Sequence, residues 1–439
     1  MKSSKNRHFY IFLSIIILFG LVLRFTHIDR KVYWLDEAWT SLRISGYSEV
    51  NMMTEIQDYY LEKNSIIKSN NLLKYQSVNS DKDITDVLDS IQQNDPTHTP
   101  LYFILARFWN ILKGDSSVST TRYFSAVCGV LFVIFFFILS RQLFENSLAA
   151  WIGTSIASIS PFFILYAQEA RPYSLFSVTV LLSCITLFKA LKHNHTLSWT
   201  GYILFTLSCL YTSWLSVLLQ LSQFCIVIVH EDFKFSRRLI RFIFCSAVVF
   251  ACILPWSLHV NWQEFYRQGS LGNSSTMSFV DKIGFLIQST GQNCTRLLID
   301  LKFYGLFNYG FLTLIATLLI IYSFIFIFIE KRFKLGLYVI ILTLPTPLVF
   351  ALRDILSRSG VRSDLNRYFI ISYIGILLAL TYFFSQKIRF LLKNTVLKDS
   401  LSLQRSIHNS KIYLIFFLLI ISLEALSSLQ IINSITWYR

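Results

Sequence analysis

The sequence predicts an all-α, polytopic membrane protein, and three observations carry that prediction. Hydrophobic residues fill 54% of the 439 positions, 40 of them Phe, and the mean hydropathy is +0.52, more apolar than a water-soluble core with its polar coat. Runs close to the ~20 apolar residues that a helix needs to cross a bilayer recur along the whole chain. Lys and Arg (40) outnumber Asp and Glu (25), for a net charge of +15, yet the excess falls in short clusters between the apolar runs. That is the distribution of cytoplasmic loops under the positive-inside rule, not of a nucleic-acid surface.

The first run, Phe9 to Phe25, follows the basic stretch MKSSKNRH and leads into RFTHIDRK. No small-residue cleavage site intervenes, so it reads as an uncleaved span with a cytoplasmic amino terminus. Further runs lie near 122–140, 148–166, 173–191, 199–213, 215–230, 239–256, 309–329, 335–352, 369–385 and 411–433, which makes about 11 spans. The 199–230 stretch is divided at YTSW. The segment TPLYFILARFWNIL, Thr99 to Leu112, is short for a span; Thr99 is expected to cap it, with Pro100 at its first position and Gly114 just past its end. If it does not cross, the clusters at Arg141, Lys189/Lys192, Lys234 to Arg241, Lys331 to Lys334 and Lys387 to Lys411 share one side with the amino terminus. It is therefore read as an interfacial helix on the outer face.

Three stretches then lie outside: 26–121, 257–308 and 353–368. In the first, Ile84, Val87, Leu88 and Ile91 follow helical spacing up to Pro96, so this loop is structured. Of the seven cysteines, six sit inside apolar runs without metal-ligand spacing and Cys294 is expected to face outward. No internal repeat is visible. Glu424, inside the last span, is expected to make an interhelical hydrogen bond.

On this topology the unusual polar residues gather at one boundary. Asp36 and Glu37 stand beside Trp34 after the first span, and His98 precedes the interfacial helix. Gln168, Glu169 and Arg171 follow Tyr166 at an outer turn, while Arg367 and Tyr368 open the tenth span. Each has a plain reading: the acid pair as a helix start, Glu169 with Arg171 as a structural ion pair, Arg367 with Tyr368 as an interface anchor. Their gathering on one face points to a site.

The ordered segments YWLDEAWTSLRISGY, DPTHTPLYFILARFW, SPFFILYAQEARPYSL and RYF resemble those of bacterial membrane glycosyltransferases of the GT-C superfamily. The branch is the one holding protein O-mannosyltransferases and the aminoarabinose transferases of lipid A. The likeness runs from the first span to the tenth and is strongest over residues 30–175. It implies a GT-C-like bundle with a structured first outer loop containing interfacial helices. Residues 1–385 would be the catalytic domain, including outer loop 26–121; residues 386–439 would be a basic cytoplasmic loop plus a final transmembrane helix. It also implies a polyprenyl-phosphate sugar as donor, a glycan, lipid or protein acceptor, a bacterial inner membrane, a site on the extracytoplasmic face, and an Asp at position 36 that is catalytic. Two features depart from the family pattern. HTPL stands where the family has His-Pro-Pro-Leu, so Thr99 replaces a proline, and no soluble sugar-binding domain is expected after the last span.

The residues suit that chemistry. A lipid-phosphate sugar arrives with an activated leaving group, so the enzyme must supply a base for the acceptor hydroxyl and positive charge for the departing phosphate. Asp36 is assigned as the base, with Glu37 as its partner or as a group that positions the acceptor. Arg171 and Arg367 are assigned to the phosphate, Arg171 oriented by Glu169. His98, Tyr166, Gln168, Tyr368 and Trp34 are candidates for lining the substrate. No cofactor is firmly implied; Asp36, Glu37 and His98 leave a divalent metal open. A transporter or flippase of lipid-linked sugars is the rival class, but it would carry inverted repeats and polar sites at mid-membrane.

Overall fold

The computed structural model describes residues 4–63, 68–270, 278–301, 309–356, 361–392 and 401–437, and among these there is no strand. The helices are α1 (Ser4–Leu23), α2 (Leu35–Ser45), α3 (Glu49–Lys63), the one-turn α4 (Ser69–Leu72), α5 (Ile84–Asn94), α6 (Leu101–Lys113), α7 (Val118–Phe144), α8 (Ser147–Ile159), α9 (Pro161–Ala167) and α10 (Tyr173–His193). They continue with α11 (Thr196–Leu210), α12 (Ser216–His230), α13 (Arg237–His259), α14 (Trp262–Ser270), α15 (Phe279–Leu298), α16 (Tyr309–Ile329), α17 (Phe333–Thr343), α18 (Pro345–Leu356), α19 (Ile370–Leu392) and α20 (Leu401–Asn433).

Among the described residues six helices are long and apolar enough to cross a membrane singly, and two bent pairs raise the number to 8 if each is one span. Three shorter apolar helices, Arg7–Leu23, Thr196–Leu210 and Ser216–His230, fall where the remaining expected spans lie. Both bends have the same cause. Pro161 and Pro345 lack the N–H that continues a helix, and their rings clash with the preceding turn; α8 and α9 meet at 59° and α17 and α18 at 41°. Backbone groups near the first bend find partners on other helices, as an apolar medium requires. Arg24 Nη1 donates to Ser158 O at 2.6 Å and Ser428 Oγ to Ile159 O at 2.7 Å.

Helix α8 is central, with α1, α7 and α19 packed against it. Its approach to α19 requires Gly153, since a Cβ there would meet Thr381 Oγ1 at 2.1 Å. Helices α2 to α6 occupy the expected outer loop. Helix α5 forms as the spacing predicts, with Asp83 and Asp86 in a reciprocal capping box and Val87 and Ile91 fully buried.

Four expectations are corrected. Thr99 does not cap α6: Pro100 holds the cap position, and the Leu101 N–H donates instead to Tyr211 O at 2.8 Å. The stretch 257–308 is more than a loop, since α15 packs there against α9, α16 and α18. Among the cysteines, Cys252 is the exposed one and Cys294 is half-buried. Neither carboxyl oxygen of Glu424 has a hydrogen-bond partner among the described residues, although its side chain is fully buried. The basic linker expected after 386 lies partly outside the described residues, at 393–400.

Candidate active site

The site is built around a loop tied down by one arginine. Arg122, in the first turn of α7, and Glu37, in the first turn of α2, are each 0% exposed. Arg122 Nε donates to Glu37 Oε1 at 2.8 Å and Nη2 to Oε2 at 2.6 Å. Its Nη1 reaches Ile28 O (2.9 Å) and Lys31 O (3.1 Å), and Nη2 also reaches Val32 O (3.1 Å). A guanidinium has five N–H donors, and all are used here. Glu37 Oε1 accepts a further bond from the Ala170 N–H at 3.0 Å. One buried ion pair therefore fastens residues 28–37 to α7 and to the turn after α9. Arg122 stands out in the sequence as a lone cation beside an apolar run, the pattern that marks intramembrane function.

Asp36, one residue earlier, faces another way. Consecutive helical residues diverge by about 100°, and Asp36 Oδ2 accepts from Arg367 Nη1 at 2.8 Å, with the two side chains 21% and 20% exposed. Its first-turn position suits an acid, because helix N-termini carry partial positive charge. Arg367 lies in the 3-10 turn Asn366–Phe369 that opens α19. The Arg171 and Arg367 guanidinium carbons each lie 5.9 Å from the ring centre of Tyr173, so this half-buried phenol adjoins both cations. Arg171 Nε and Arg367 Nε have no hydrogen-bond partner among the described residues.

Arg171 is itself held on three sides. Its Nη1 donates to Asp36 O (3.1 Å) and Thr40 Oγ1 (3.2 Å), and its Nη2 lies 2.7 Å from His98 Nε2. An arginine is always a donor, so His98 Nε2 accepts and the imidazole proton resides on Nδ1. That Nδ1–H donates to Asp95 Oδ1 at 2.8 Å, and Arg43 Nε lies 3.6 Å from Asp95 Oδ2. Burial opposes ionisation of Asp95, but the facing His98 and Arg43 hold its carboxyl well below the usual range.

Glu169 behaves in the opposite sense: burial raises its carboxyl to about 8, against the pull of Arg171 and Arg367. A value above that of the unfolded chain means the native state binds the extra proton. The stabilisation is complete below the ordinary carboxyl range and is lost as pH rises from about 4.5 through about 8. Glu169→Gln is therefore expected to flatten the fall in melting temperature across that window, read by thermal unfolding in detergent. An unchanged slope would assign the dependence to another group.

The other expected residues take varied places. Gln168 Nε2 donates to Leu23 O (2.9 Å) and Thr26 O (2.8 Å), so this buried amide pins the end of α1. Tyr166 Oη donates to Asn366 Oδ1 at 2.7 Å, which ties α9 to the turn bearing Arg367. Tyr368 stacks on Phe350 with ring centres 5.2 Å apart. Trp34 takes the cap position of α2, its carbonyl accepting from the Glu37 and Ala38 N–H groups. Beside Asn366 a cleft of about 90 Å³ is lined by Lys31, Arg296, Asp300 and Trp437. The metal candidates do not converge. Asp36 turns to Arg367, Glu37 to Arg122 and His98 to Asp95, and among the described residues no group of three His, Cys, Asp or Glu side chains is disposed to hold an ion.

Comparison with known proteins follows this geometry. Residues 97–259 match the family model described as dolichyl-phosphate-mannose-protein mannosyltransferase. The archaeal oligosaccharyltransferase AglB of Archaeoglobus fulgidus, solved with an inhibitory peptide and a dolichol-phosphate, superposes over 100% of this chain with a TM-score of 0.55 at 13% identity. The chain has the GT-C fold. ArnT from Cupriavidus metallidurans, solved with undecaprenyl phosphate, shares this GT-C architecture over 97% of the chain and 76% of its own length, with a TM-score of 0.50 at 14% identity. The chain spans only 57% of the length of AglB. No curated protein matches it in sequence. The matched family segment contains His98, Arg122, Tyr166, Glu169, Arg171 and Tyr173, while Asp36 and Arg367 lie outside it.

Proposed function

We propose that the protein is an integral membrane glycosyltransferase that moves a sugar from a polyprenyl-phosphate donor to an acceptor hydroxyl on the outer face, with inversion. The observation that carries this reading is the Asp36–Arg367 pair at 2.8 Å, set beside Tyr173 and Arg171. Arg43, Arg122, Arg171 and Arg367 face the carboxylates Asp36, Glu37 and Asp95, and burial raises the Glu169 carboxyl to about 8, which favours its protonated form. Such a cluster suits an anion. Arg171 and Arg367 each retain a buried Nε–H for it, and a planar fork binds phosphate oxygens well.

When the donor phosphate draws Arg367 toward itself, the carboxylate of Asp36 is released to the acceptor. Asp36 takes the hydroxyl proton as the acceptor oxygen bonds to the anomeric carbon. The bond from that carbon to the phosphate oxygen breaks, and its electron pair leaves on the lipid phosphate. A single displacement through an oxocarbenium-like state inverts the centre. Glu37 acts by position, with both oxygens held by Arg122. The dolichol-phosphate of AglB and the undecaprenyl phosphate of ArnT support a lipid-phosphate donor here. The sugar, whether hexose or pentose, is best found by offering a panel of labelled polyprenyl-phosphate sugars to the reconstituted protein.

The test is transfer itself. Protein in liposomes is expected to release free polyprenyl phosphate and to form a glycoside of opposite anomeric configuration, read by mass spectrometry and NMR. Lipid-linked sugar that crosses the bilayer unconsumed would favour the transporter class instead. Arg367→Ala is expected to weaken binding of polyprenyl phosphate by roughly 10-fold or more, the loss of one charge-assisted contact. Unchanged lipid-phosphate affinity would remove Arg367 from the donor site.

A further inference from the structure

Residues that follow α20 turn back across the loop that carries Asp36. The Val32 N–H donates to Ile435 O at 2.9 Å, and Trp437 Nε1–H donates to Val32 O at 2.7 Å. Lys31 Nζ donates to Ile431 O at 2.7 Å and to Ser434 O at 3.3 Å. The Trp437 indole is 6% exposed. Its ring centre lies 4.9 Å from the Arg122 guanidinium carbon and 5.0 Å from Lys31 Nζ.

These contacts converge on the groups that hold the loop. Arg122 spends its five in-plane donors on Glu37 and three loop carbonyls, which leaves only its faces to be covered. Trp437 covers one, as an aromatic face does for a desolvated cation. Val32 is gripped at both ends, its N–H by Ile435 and its carbonyl by Arg122 and Trp437 together. Four residues later comes Asp36, whose partner Arg367 belongs to a different part of the bundle. The separation of these two side chains is therefore set by how firmly residues 28–37 are fixed.

We propose that residues 431–437 form a strap that sets the position of Asp36, with Trp437 as a positioning residue acting through Arg122 and Val32. This deepens the function proposed above and rests on it. Among the described residues no hydrogen bond or ring contact joins the strap to Arg171 or Tyr173, so its loss should spare donor binding and impair the chemical step. A misplacement near 1 Å can cost about 10²-fold in rate.

The full-length protein is assayed in liposomes with a polyprenyl-phosphate sugar, and amide exchange is followed in a peptide covering residues 28–37. Trp437→Ala is expected to lower kcat per folded molecule by about 10- to 10²-fold, with KM for the donor unchanged and faster exchange in that peptide. Trp437→Phe, which keeps an aromatic face but loses the Nε1 donor and part of the ring area, should restore most of the rate. Unchanged kcat in Trp437→Ala, or a rise confined to the donor KM, or exchange no faster than wild type, would overturn the strap. Absence of transfer by the wild-type protein is a separate outcome: it overturns the functional reading, and the strap's role with it, before any variant is compared.

Discussion

Asn at position 36 is expected to leave a folded, inserted protein whose sugar transfer falls by about 10²- to 10⁴-fold, the usual contribution of a general base. The amide keeps the size and hydrogen-bonding reach of the carboxylate but cannot take the acceptor's proton. It also withdraws a charge from Arg367, now 2.8 Å away, so affinity for polyprenyl phosphate should hold or rise. The two readouts move in opposite directions, and that separates loss of the base from loss of the fold. They are measured together, turnover with a lipid-linked donor and binding of the lipid phosphate alone. Wild-type turnover in the Asp36→Asn variant would remove this residue from the mechanism.

The largest expected effect on stability lies at Arg122. Arg122→Leu leaves a fully buried Glu37 without its cation and the Ile28 and Lys31 carbonyls without their donor, and removes one of two donors from Val32 O. Removing one partner of a buried pair costs about 3–5 kcal/mol, so thermal unfolding in detergent should shift well below wild type. Glu37→Gln keeps the shape and one acceptor oxygen, and should cost less. The double variant with apolar residues at 37 and 122 should recover part of the loss and no more, because the Ile28 and Lys31 carbonyls still lack their donor. Arg122→Lys tests the geometry: a point charge with three donors cannot reproduce the fork. Equal melting temperatures for Arg122→Leu and wild type would show that the loop is held by other means.

Much of the bundle was legible because hydropathy acts locally. Apolar runs marked the helices, but 148–166 and 335–352 each read as one span, and Pro161 and Pro345 break both. Helix α5 was readable from four apolar positions. Thr99 misled because its capping role competed with a carbonyl from Tyr211, over a hundred positions away. The site divides in the same manner. Asp36, Glu37, His98, Arg171 and Arg367 are unusual where they stand, and so the sequence singled them out. Glu37 looked like a twin of Asp36, yet their divergence on one helical turn sends them to different arginines. Gln168 looked like a substrate contact and proves to pin a helix end. Arg43, Asp95 and Arg122 were passed over; Arg122 alone gave a signal, as a cation at the edge of an apolar run.

The sequence by itself determined that this chain is a helical membrane protein and that its unusual charges fall at the ends of its helices, since hydrophobicity, charge and backbone chemistry are properties of short segments. Only the tertiary structure decided which charge meets which. Asp36 and Arg367 are 331 positions apart, and Val32 and Trp437 are 405 apart. No local pattern encodes such pairings. They follow from the packing of whole helices, which brings the start of α2, the start of α7, the turn before α10, the start of α19 and the residues after α20 to one end of the bundle, where buried charges without partners would be too costly to keep.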